Sequence, residues 1–307
     1  MLPAPGFHHI HLKSRDPDAA IGWYTRQFPT TRKGEWGGFP ALRSPNDVLI
    51  LFDKVDRPPS SEPQSAIWHF GWHVTDSRET LAHYRECPEV ELLPLYTGDA
   101  GGSVLISSDT WPGQGGVLGL NRLQIAEAKT TGIEPTRIGG FAYMRGPDEA
   151  LVEYAGNHPH ERFNHVHMYQ DEPLCALLWY QKHLNAPVWS RFTPTIPSET
   201  ECKVPRGADR TWPALNRDGM FRSPRAGVEF GDVSVMWYAN QGEQPLAASR
   251  GQLQDHFALK VGDLDAWVDK LRGEGVVFLE PPYPLGDTRA VLIEGPSREA
   301  IELVEVR

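Results

Sequence analysis

The sequence predicts an α+β fold built from four copies of a β-α-β-β-β module that pair into two domains. A strand, a turn and a helix recur at residues 7, 66, 163 and 255, and β-prone runs follow the helices. Glycine and proline, at 29 and 27 residues, indicate frequent turns and not a helical bundle. Since one such unit cannot bury its own sheet, we expect paired modules to form curved mixed sheets with the helices outside.

The first module covers about residues 6–56. Asp16-Pro17 ends the opening strand, and apolar residues up to Tyr24 continue at helical spacing. The run VLILFDKV is then strongly β-prone and predicts the last strand of the module.

The second module opens with AIWHFGWHVTD and continues with a helix in SRETLAHYREC, where Ser77 is a suitable N-cap. A closing hairpin follows in FAYMRGPDEALVEY. A Gly-rich stretch at about residues 97–137 separates the two parts. Because loops of that length are uncommon in compact domains, we interpret it as a functional lid or a partly ordered insertion.

The segment HPHERF is interpreted as a linker between two domains. Beyond it, FNHVHMYQ repeats the opening strand, a polar insertion occupies about residues 193–225, and the fourth module begins at DHFALKV. We therefore place an N-terminal two-module domain at residues 1–157 and a C-terminal one at residues 158–307.

Composition excludes several classes of partner. The net charge of −10, with no basic run, argues against nucleic acid. No apolar stretch approaches the roughly 20 residues needed to cross a bilayer, and no signal peptide is recognisable. Cys87, Cys175 and Cys202 lack metal-ligand spacing and are interpreted as reduced thiols of a cytoplasmic protein.

One histidine occupies the same point of the opening strand in every module: His9, His69, His165 and His256. The first three lie fifteen residues before a helix tyrosine, and the fourth lies seven residues before an aspartate, as do the first two. Four matching positions among 12 histidines are difficult to attribute to chance. The repeat therefore favours a shared chemical role.

A glutamate recurs as well, because Glu153 and Glu302 each lie six residues after the proline of a Gly-Pro turn. Pairing consecutive modules predicts two sets of ligands: His9, His69 and Glu153 in one domain, and His165, His256 and Glu302 in the other. Two imidazoles and one carboxylate suit Fe(II), and less selectively Mn, Co or Zn. Two alternatives stay open: the residues are hydrogen-bonded core groups or exposed edge residues, or one domain is a metal-free copy.

Strand alternation predicts neighbours for each set. His11 shares a face with His9, His73 shares one with His69, and a hairpin places Tyr143 beside Glu153. A tyrosine and a spare histidine suit proton transfer, so the first domain is favoured for chemistry. The corresponding neighbours in the second domain are His167 and Lys260, with Leu292 in place of the tyrosine. His8 is expected to point away from the cavity.

The repeated HxHL-like strand, the helix ending in WY and the terminal GPxxxxxE strand resemble the vicinal oxygen chelate superfamily. That group includes glyoxalase I, methylmalonyl-CoA epimerase, bleomycin and fosfomycin resistance proteins, and type I extradiol dioxygenases. The segment YMRGPDEALVE fits the dioxygenase pattern Y-x-x-x-P-x-x-x-x-x-E at Tyr143 and Glu153. The resemblance implies His9 and His69 as the histidine ligands.

The chain also departs from these relatives. VLILFDKV has no histidine where the dioxygenases carry their acid/base residue, so His11 or His73 would have to substitute. Neither VLILFDKV nor VSVMWYAN clearly supplies the fourth protein ligand of the glyoxalase branch.

The favoured function is that of an Fe(II)-dependent extradiol-type dioxygenase acting on a small catechol- or hydroquinone-like aromatic. One alternative is an oxygen-independent lyase, isomerase or hydrolase that uses a divalent metal. Another is a non-catalytic, resistance-type protein that binds a small molecule. Because sheet edges in such domains often pair, a homo-oligomer is also open.

Overall fold

A computed structural model describes residues 2–93, 130–132, 141–156, 158–190, 193, 196–203, 225–240 and 244–306. These residues form fifteen strands in two mixed sheets, together with four α-helices. The predicted α+β architecture is confirmed. Most of the stretches at about 97–137 and 193–225, and with them the predictions for both insertions, lie outside the described residues.

The first two modules follow the predicted element order. Module 1 contains β1 (Gly6–Ser14), α1 (Pro17–Gln27), β2 (Arg32–Trp36), β3 (Phe39–Arg43) and β4 (Leu49–Lys54). Module 2 contains β5 (Ile67–His73), α2 (Ser77–Glu86), β6 (Glu91–Leu93), β7 (Phe141–Arg145), a 3₁₀ turn (Pro147–Glu149) and β8 (Leu151–Ala155). The carboxylate of Asp16 accepts a hydrogen bond from Ala19 N and so caps α1.

The last two modules repeat that order. Module 3 contains β9 (Arg162–Gln170), α3 (Pro173–Leu184), β10 (Arg225–Phe230) and β11 (Val233–Ala239). Module 4 contains β12 (Gln254–Val261), α4 (Leu264–Gly273), β13 (Phe278–Leu285), β14 (Thr288–Glu294) and β15 (Ala300–Glu305). A single β-bridge from Val188 to Val228 lies beside β10, where the other modules have a further strand.

The modules do not pair in the predicted way. The eight-stranded sheet has the order β13-β14-β15-β12-β1-β4-β3-β2, so module 1 pairs with module 4. The seven-stranded sheet has the order β10-β11-β9-β5-β8-β7-β6, so module 2 pairs with module 3. Each sheet therefore draws strands from both 1–157 and 158–307, and the prediction that module 1 pairs with module 2, and module 3 with module 4, is wrong. Four similar opening strands offer similar edges, and their sequences do not specify which two will join.

One apolar cluster joins the outer faces of both sheets to the helices. Phe7 stacks on Phe163 with 5.6 Å between ring centroids, and Phe163 stacks on Phe70 at 6.1 Å. These contacts link β1 of one sheet to β9 and β5 of the other. Apolar side chains occupy the faces of the sheets that pack against the helices. The polar residues of the opening strands lie on the opposite faces, because successive side chains of a strand alternate between faces.

The cysteines differ from the prediction. Cys175 and Cys202 form a disulfide across 27 residues, and Cys87 is free. The prediction of three reduced thiols is therefore wrong for two of them, because spacing in sequence does not show that α3 lies beside residues 196–203. No helix in the described part of the chain is long and apolar enough to cross a membrane.

Candidate metal centres

The opening strands of modules 1 and 4 place three histidines on one face of the eight-stranded sheet. β1 and β12 run antiparallel, with His11 opposite His256 and His9 opposite Ala258. β15 lies parallel to β12 and places Glu302 beside Ala258. We refer to His9, His11, His256 and Glu302 as centre A.

The opening strands of modules 2 and 3 build a second group in the other sheet. β5 and β9 run antiparallel, with His69 opposite His167 and Gly71 opposite His165. β8 lies parallel to β5 and places Glu153 beside Gly71. We refer to His69, His165, His167 and Glu153 as centre B.

The two centres have the same register. Four pairs of residues correspond: His9 with His165, His11 with His167, His256 with His69, and Glu302 with Glu153. The remaining position holds a small residue, Ala258 in one centre and Gly71 in the other. A Cβ atom on Gly71 would lie 2.5 Å from Cε1 of His165, so glycine is required for that imidazole to fit.

Three polar atoms converge in centre A. Nε2 of His9 lies 3.3 Å from Oε2 of Glu302, and Nε2 of His256 lies 3.9 Å from the same oxygen. The three side chains are almost fully buried, and among the described residues these three atoms have no hydrogen-bond partner. Leaving such atoms unsatisfied is costly, so a bound cation fits them.

Centre B is more compact, because three imidazoles surround one carboxylate oxygen. Oε2 of Glu153 lies 2.9 Å from Nε2 of His69, 3.4 Å from Nε2 of His165 and 3.7 Å from Nδ1 of His167. One ligand atom from each of the four residues lies within 4.8 Å of the others. This donor set of imidazoles and a carboxylate suits Fe, Mn, Co or Zn.

For four of the histidines, burial favours the neutral imidazole, which is the form that binds a metal. Burial lowers the pKa of His69 to about 4 and holds the pKa values of His9, His11 and His167 well below the ordinary value.

The pKa values of the two glutamates are shifted in opposite directions. Burial acts to raise the pKa of Glu153, but His165 and His69 together hold it well below its usual range. In Glu302, burial dominates and the pKa is raised. The carboxylate of centre B is therefore the more firmly ionised of the two.

In each centre, one histidine is hydrogen-bonded through its Nδ1 to the residue that precedes it in the sequence. Nδ1 of His256 donates to Oδ1 of Asp255 at 2.7 Å, and Nδ1 of His165 donates to Oδ1 of Asn164 at 2.9 Å. Both contacts fix the tautomer that leaves Nε2 free to bind a metal.

A tyrosine hydroxyl reaches each glutamate, but from different strands. Tyr143 on β7 lies opposite Glu153 and hydrogen-bonds to it, and burial raises the pKa of this tyrosine well above its usual value. In centre A, Leu292 occupies the corresponding position opposite Glu302. Tyr283 on β13 donates to Glu302 instead. Sequence reasoning missed Tyr283 because no motif marks that strand.

Aromatic side chains surround centre B, and sequence reasoning missed most of them. The ring of Trp68 lies 4.1 Å from that of His69, and the ring of Tyr143 lies 4.9 Å from it. Tyr238 lies 5.6 Å from His167, and Tyr169 lies 5.1 Å from Trp68. Trp68 directly precedes His69 and Tyr169 follows His167 by two residues, whereas no histidine near Tyr238 in the sequence marked that residue.

The predicted ligand sets are regrouped by the observed pairing. His9 belongs with His256 and Glu302, whereas His69 and Glu153 belong with His165. All six residues contribute to a centre, but neither predicted trio is assembled. That these residues bind a metal stays a prediction.

The orientations of two predicted residues also change. A register shift between Phe7 and His9 turns His8 inward, where its Nδ1 lies 2.7 Å from Nδ1 of His9. A second shift, after Gly71, directs His73 away from centre B. Irregularities of this kind interrupt the two-residue alternation on which the prediction depended.

His73 and Lys260 lie outside both centres. Nε2 of His73 lies 3.0 Å from Nδ2 of Asn164, and its ring stacks on His158 at 4.5 Å. Lys260 is exposed and extends over Gly6. His73 therefore reaches centre B only through Asn164 and His165, and Lys260 does not reach centre A.

Comparisons with known proteins agree with this architecture. Residues 162–303 match the family model of the Glyoxalase/Bleomycin resistance protein/Dioxygenase superfamily. No curated protein sequence matches the chain significantly.

Among solved structures, glyoxalase I from Zea mays aligns with a TM-score of 0.62 and 14% identity, over 98% of this chain and 92% of that one. A putative dioxygenase from Bacillus subtilis subsp. subtilis str. 168 aligns with a TM-score of 0.54 and 10% identity, over 99% and 86%. At such identities the likeness shows the fold alone.

Proposed function

Because residues 162–303 match the Glyoxalase/Bleomycin resistance protein/Dioxygenase superfamily and the described residues have the vicinal oxygen chelate fold, we propose that this protein is a divalent-metal-dependent enzyme. We assign its chemistry to centre B. The reaction that centre B supports best is Fe(II)-dependent ring cleavage of a catechol- or hydroquinone-like aromatic.

The observation that carries this proposal is the convergence of His69, His165 and Glu153, with Tyr143 hydrogen-bonded to the carboxylate. Two imidazoles and a carboxylate are the donor set of non-haem iron oxygenases, although Mn, Co or Zn also fit. A metal held there would supply Lewis-acid chemistry, to which Fe(II) adds reactivity toward dioxygen.

The surrounding residues suit a planar substrate. Trp68, Tyr143, Tyr169 and Tyr238 give centre B aromatic walls, on which a ring would stack while water is excluded. Burial raises the pKa of Tyr143, so its hydroxyl keeps its proton and acts as a hydrogen-bond donor. It donates this proton to Glu153, and once a bound metal takes up the carboxylate the same proton would become available to a substrate oxygen.

Centre B is preferred over centre A because its glutamate is the more readily ionised of the two. The imidazoles of His69 and His165 hold the pKa of Glu153 low, whereas burial raises the pKa of Glu302. A proton and a divalent ion compete for the same carboxylate, so the glutamate with the lower pKa binds the ion more readily.

A second function is favoured by one further observation. Each centre has a third imidazole beside the basic donor set, His11 in one and His167 in the other. An additional donor favours Lewis-acid chemistry that does not need dioxygen, as in a lyase, isomerase or hydrolase.

Anaerobic reconstitution with Fe(II), followed by oxygen-uptake measurements with catechols and hydroquinones, tests the leading proposal. We expect uptake in the parent protein and in Glu302→Ala, and none in Glu153→Ala. Bound iron without uptake on any substrate would overturn the dioxygenase assignment. Turnover under nitrogen with Zn, Mn or Co would support the second function, and ligand binding unchanged in Glu153→Ala would indicate a non-catalytic binding protein.

A further inference from the structure

We propose that His167 in centre B and His11 in centre A are fourth protein ligands, so that each centre holds a metal with three imidazoles and one carboxylate. This inference rests on the proposed metal-dependent function and deepens it, because the number of protein ligands limits how a substrate can bind.

The orientation of His167 supports a ligand role. Its Nδ1 lies 2.8 Å from Nε2 of His69 and 3.7 Å from Oε2 of Glu153, so it faces the point where the other ligand atoms converge. Its Nε2 lies 3.1 Å from Sδ of Met236, a weak acceptor. If Nε2 carries the proton toward that sulfur, the lone pair of Nδ1 is directed into the centre.

The same position holds a histidine in both centres. His11 follows His9 by two residues on β1, as His167 follows His165 on β9, and each lies opposite a ligand histidine of the partner module. The ring of His11 is 4.6 Å from that of His256, and the ring of His167 is also 4.6 Å from that of His69. A histidine retained at one register position in two sheets indicates one role in both.

The strands next to these histidines supply no competing ligand. Leu51 on β4 lies beside His11, and Met236 on β11 lies beside His167. Neither side chain offers the nitrogen or oxygen donor that a divalent ion of this type prefers. His11 and His167 are thus the residues that would supply the fourth donor atom at these register positions.

Four protein ligands would leave two positions of an octahedral shell open, where a two-histidine, one-carboxylate set leaves three. A catechol that chelates through both hydroxyls would fill both positions. An oxygen-dependent reaction then requires a substrate that binds through one hydroxyl. Within the proposed function, the inference therefore favours a hydroquinone-type substrate over a catechol.

Counting imidazoles on a bound ion tests the proposal directly. We would load centre B alone with Cu(II), in a His256→Ala, Glu302→Ala background, and count coordinated imidazoles by pulsed electron paramagnetic resonance. We expect three in this background, two after His167→Ala, and three in the matched control Met236→Leu. The proposal would be overturned if only two imidazoles were counted in the background protein. It would also be overturned if His167→Ala left the count unchanged.

Affinity gives a second readout. Loss of an outer hydrogen-bond partner typically costs about 10–100-fold in metal affinity, so removal of a true ligand should cost more than 100-fold for Zn(II). If His167→Ala does not fold, the same measurements on His11→Ala in a His69→Ala, Glu153→Ala background decide the matter. A loss of Zn(II) affinity of about 100-fold or less would overturn the proposal.

These measurements use the metal alone and need no substrate. A count of three imidazoles without oxygen uptake would keep the inference and remove the dioxygenase assignment. A count of two imidazoles with oxygen uptake would keep the dioxygenase assignment and overturn the inference about His167. A protein that binds no ion at either centre would overturn both.

Discussion

Centres A and B have their proposed ligands at the same register positions but differ in the groups around those residues. In centre A, Asp255 holds His256 and Tyr283 reaches the glutamate from β13. In centre B, the neutral Asn164 holds His165 and the tyrosine comes from β7. The comparison shows that the repeated module fixes where ligands stand, whereas neighbouring strands determine the charge and shape of each centre.

The largest expected effect separates the two glutamates. Glu153→Ala should lower turnover by more than about 100-fold, because a lost ligand costs more than the 10–100-fold of an outer partner. Glu302→Ala should retain turnover and lose the metal of centre A only. Steady-state kinetics and metal analysis of both variants check this, and equal losses of turnover would remove the distinction between the centres.

His9→Ala is the control for the observed pairing of the modules. Because His9 faces Glu302 and not Glu153, its removal should affect the metal of centre A and leave turnover at centre B intact. Loss of metal from centre B in this variant would contradict the regrouped ligand sets.

The next effect concerns the partners of the ligand histidines. Asp255→Ala should weaken metal binding at centre A by about 10–100-fold, since it removes a charged acceptor from Nδ1 of His256. Asn164→Ala should cost less at centre B, because hydrogen bonds to neutral groups are roughly half as strong. Titration calorimetry with Zn(II) on single-centre proteins measures both, and a larger cost at Asn164 would reverse the ranking.

A smaller effect is expected from the tyrosines. Tyr143→Phe should lower turnover about 10-fold while metal content is unchanged, because one hydrogen bond to a charged group is lost. Tyr283→Phe is the matched variant in centre A and should leave turnover at the level of the parent protein. Kinetics that respond equally to the two substitutions would argue against a special role for Tyr143.

The smallest effect lies outside the centres, at Glu299, whose counterpart in module 2 is Ala150. Burial raises the pKa of this carboxyl, although Gln170 and Tyr180 donate to it at 2.7 and 2.8 Å. The folded protein therefore holds the proton more tightly than the unfolded chain, and stability falls as pH rises through the folded pKa.

Glu299→Gln should flatten that dependence and shift Tm by about 2–4 °C or less. Thermal unfolding between pH 4 and pH 8 measures the change. A dependence as steep as that of the parent protein would show that another group is responsible.

The residues of the candidate centres could be predicted from the sequence, but the pairing of the four modules could not. Equal spacing within each module identified all six residues of the two proposed basic ligand sets, because a repeated unit repeats its register. Nothing in the opening strands indicated that β1 joins β12 and not β5, since edges of similar strands are nearly interchangeable. The orientations of His8 and His73 were missed because irregular pairing interrupts the alternation of faces.

The nested pairing of the modules also has a consequence for biosynthesis. Modules 2 and 3 are adjacent in the chain, so centre B can assemble while the polypeptide is still being made. β1 emerges first, yet its partner β12 and the glutamate strand β15 are made last. During translation β1 lacks that partner along one edge, and we expect this interval to be when the nascent protein is most prone to aggregation.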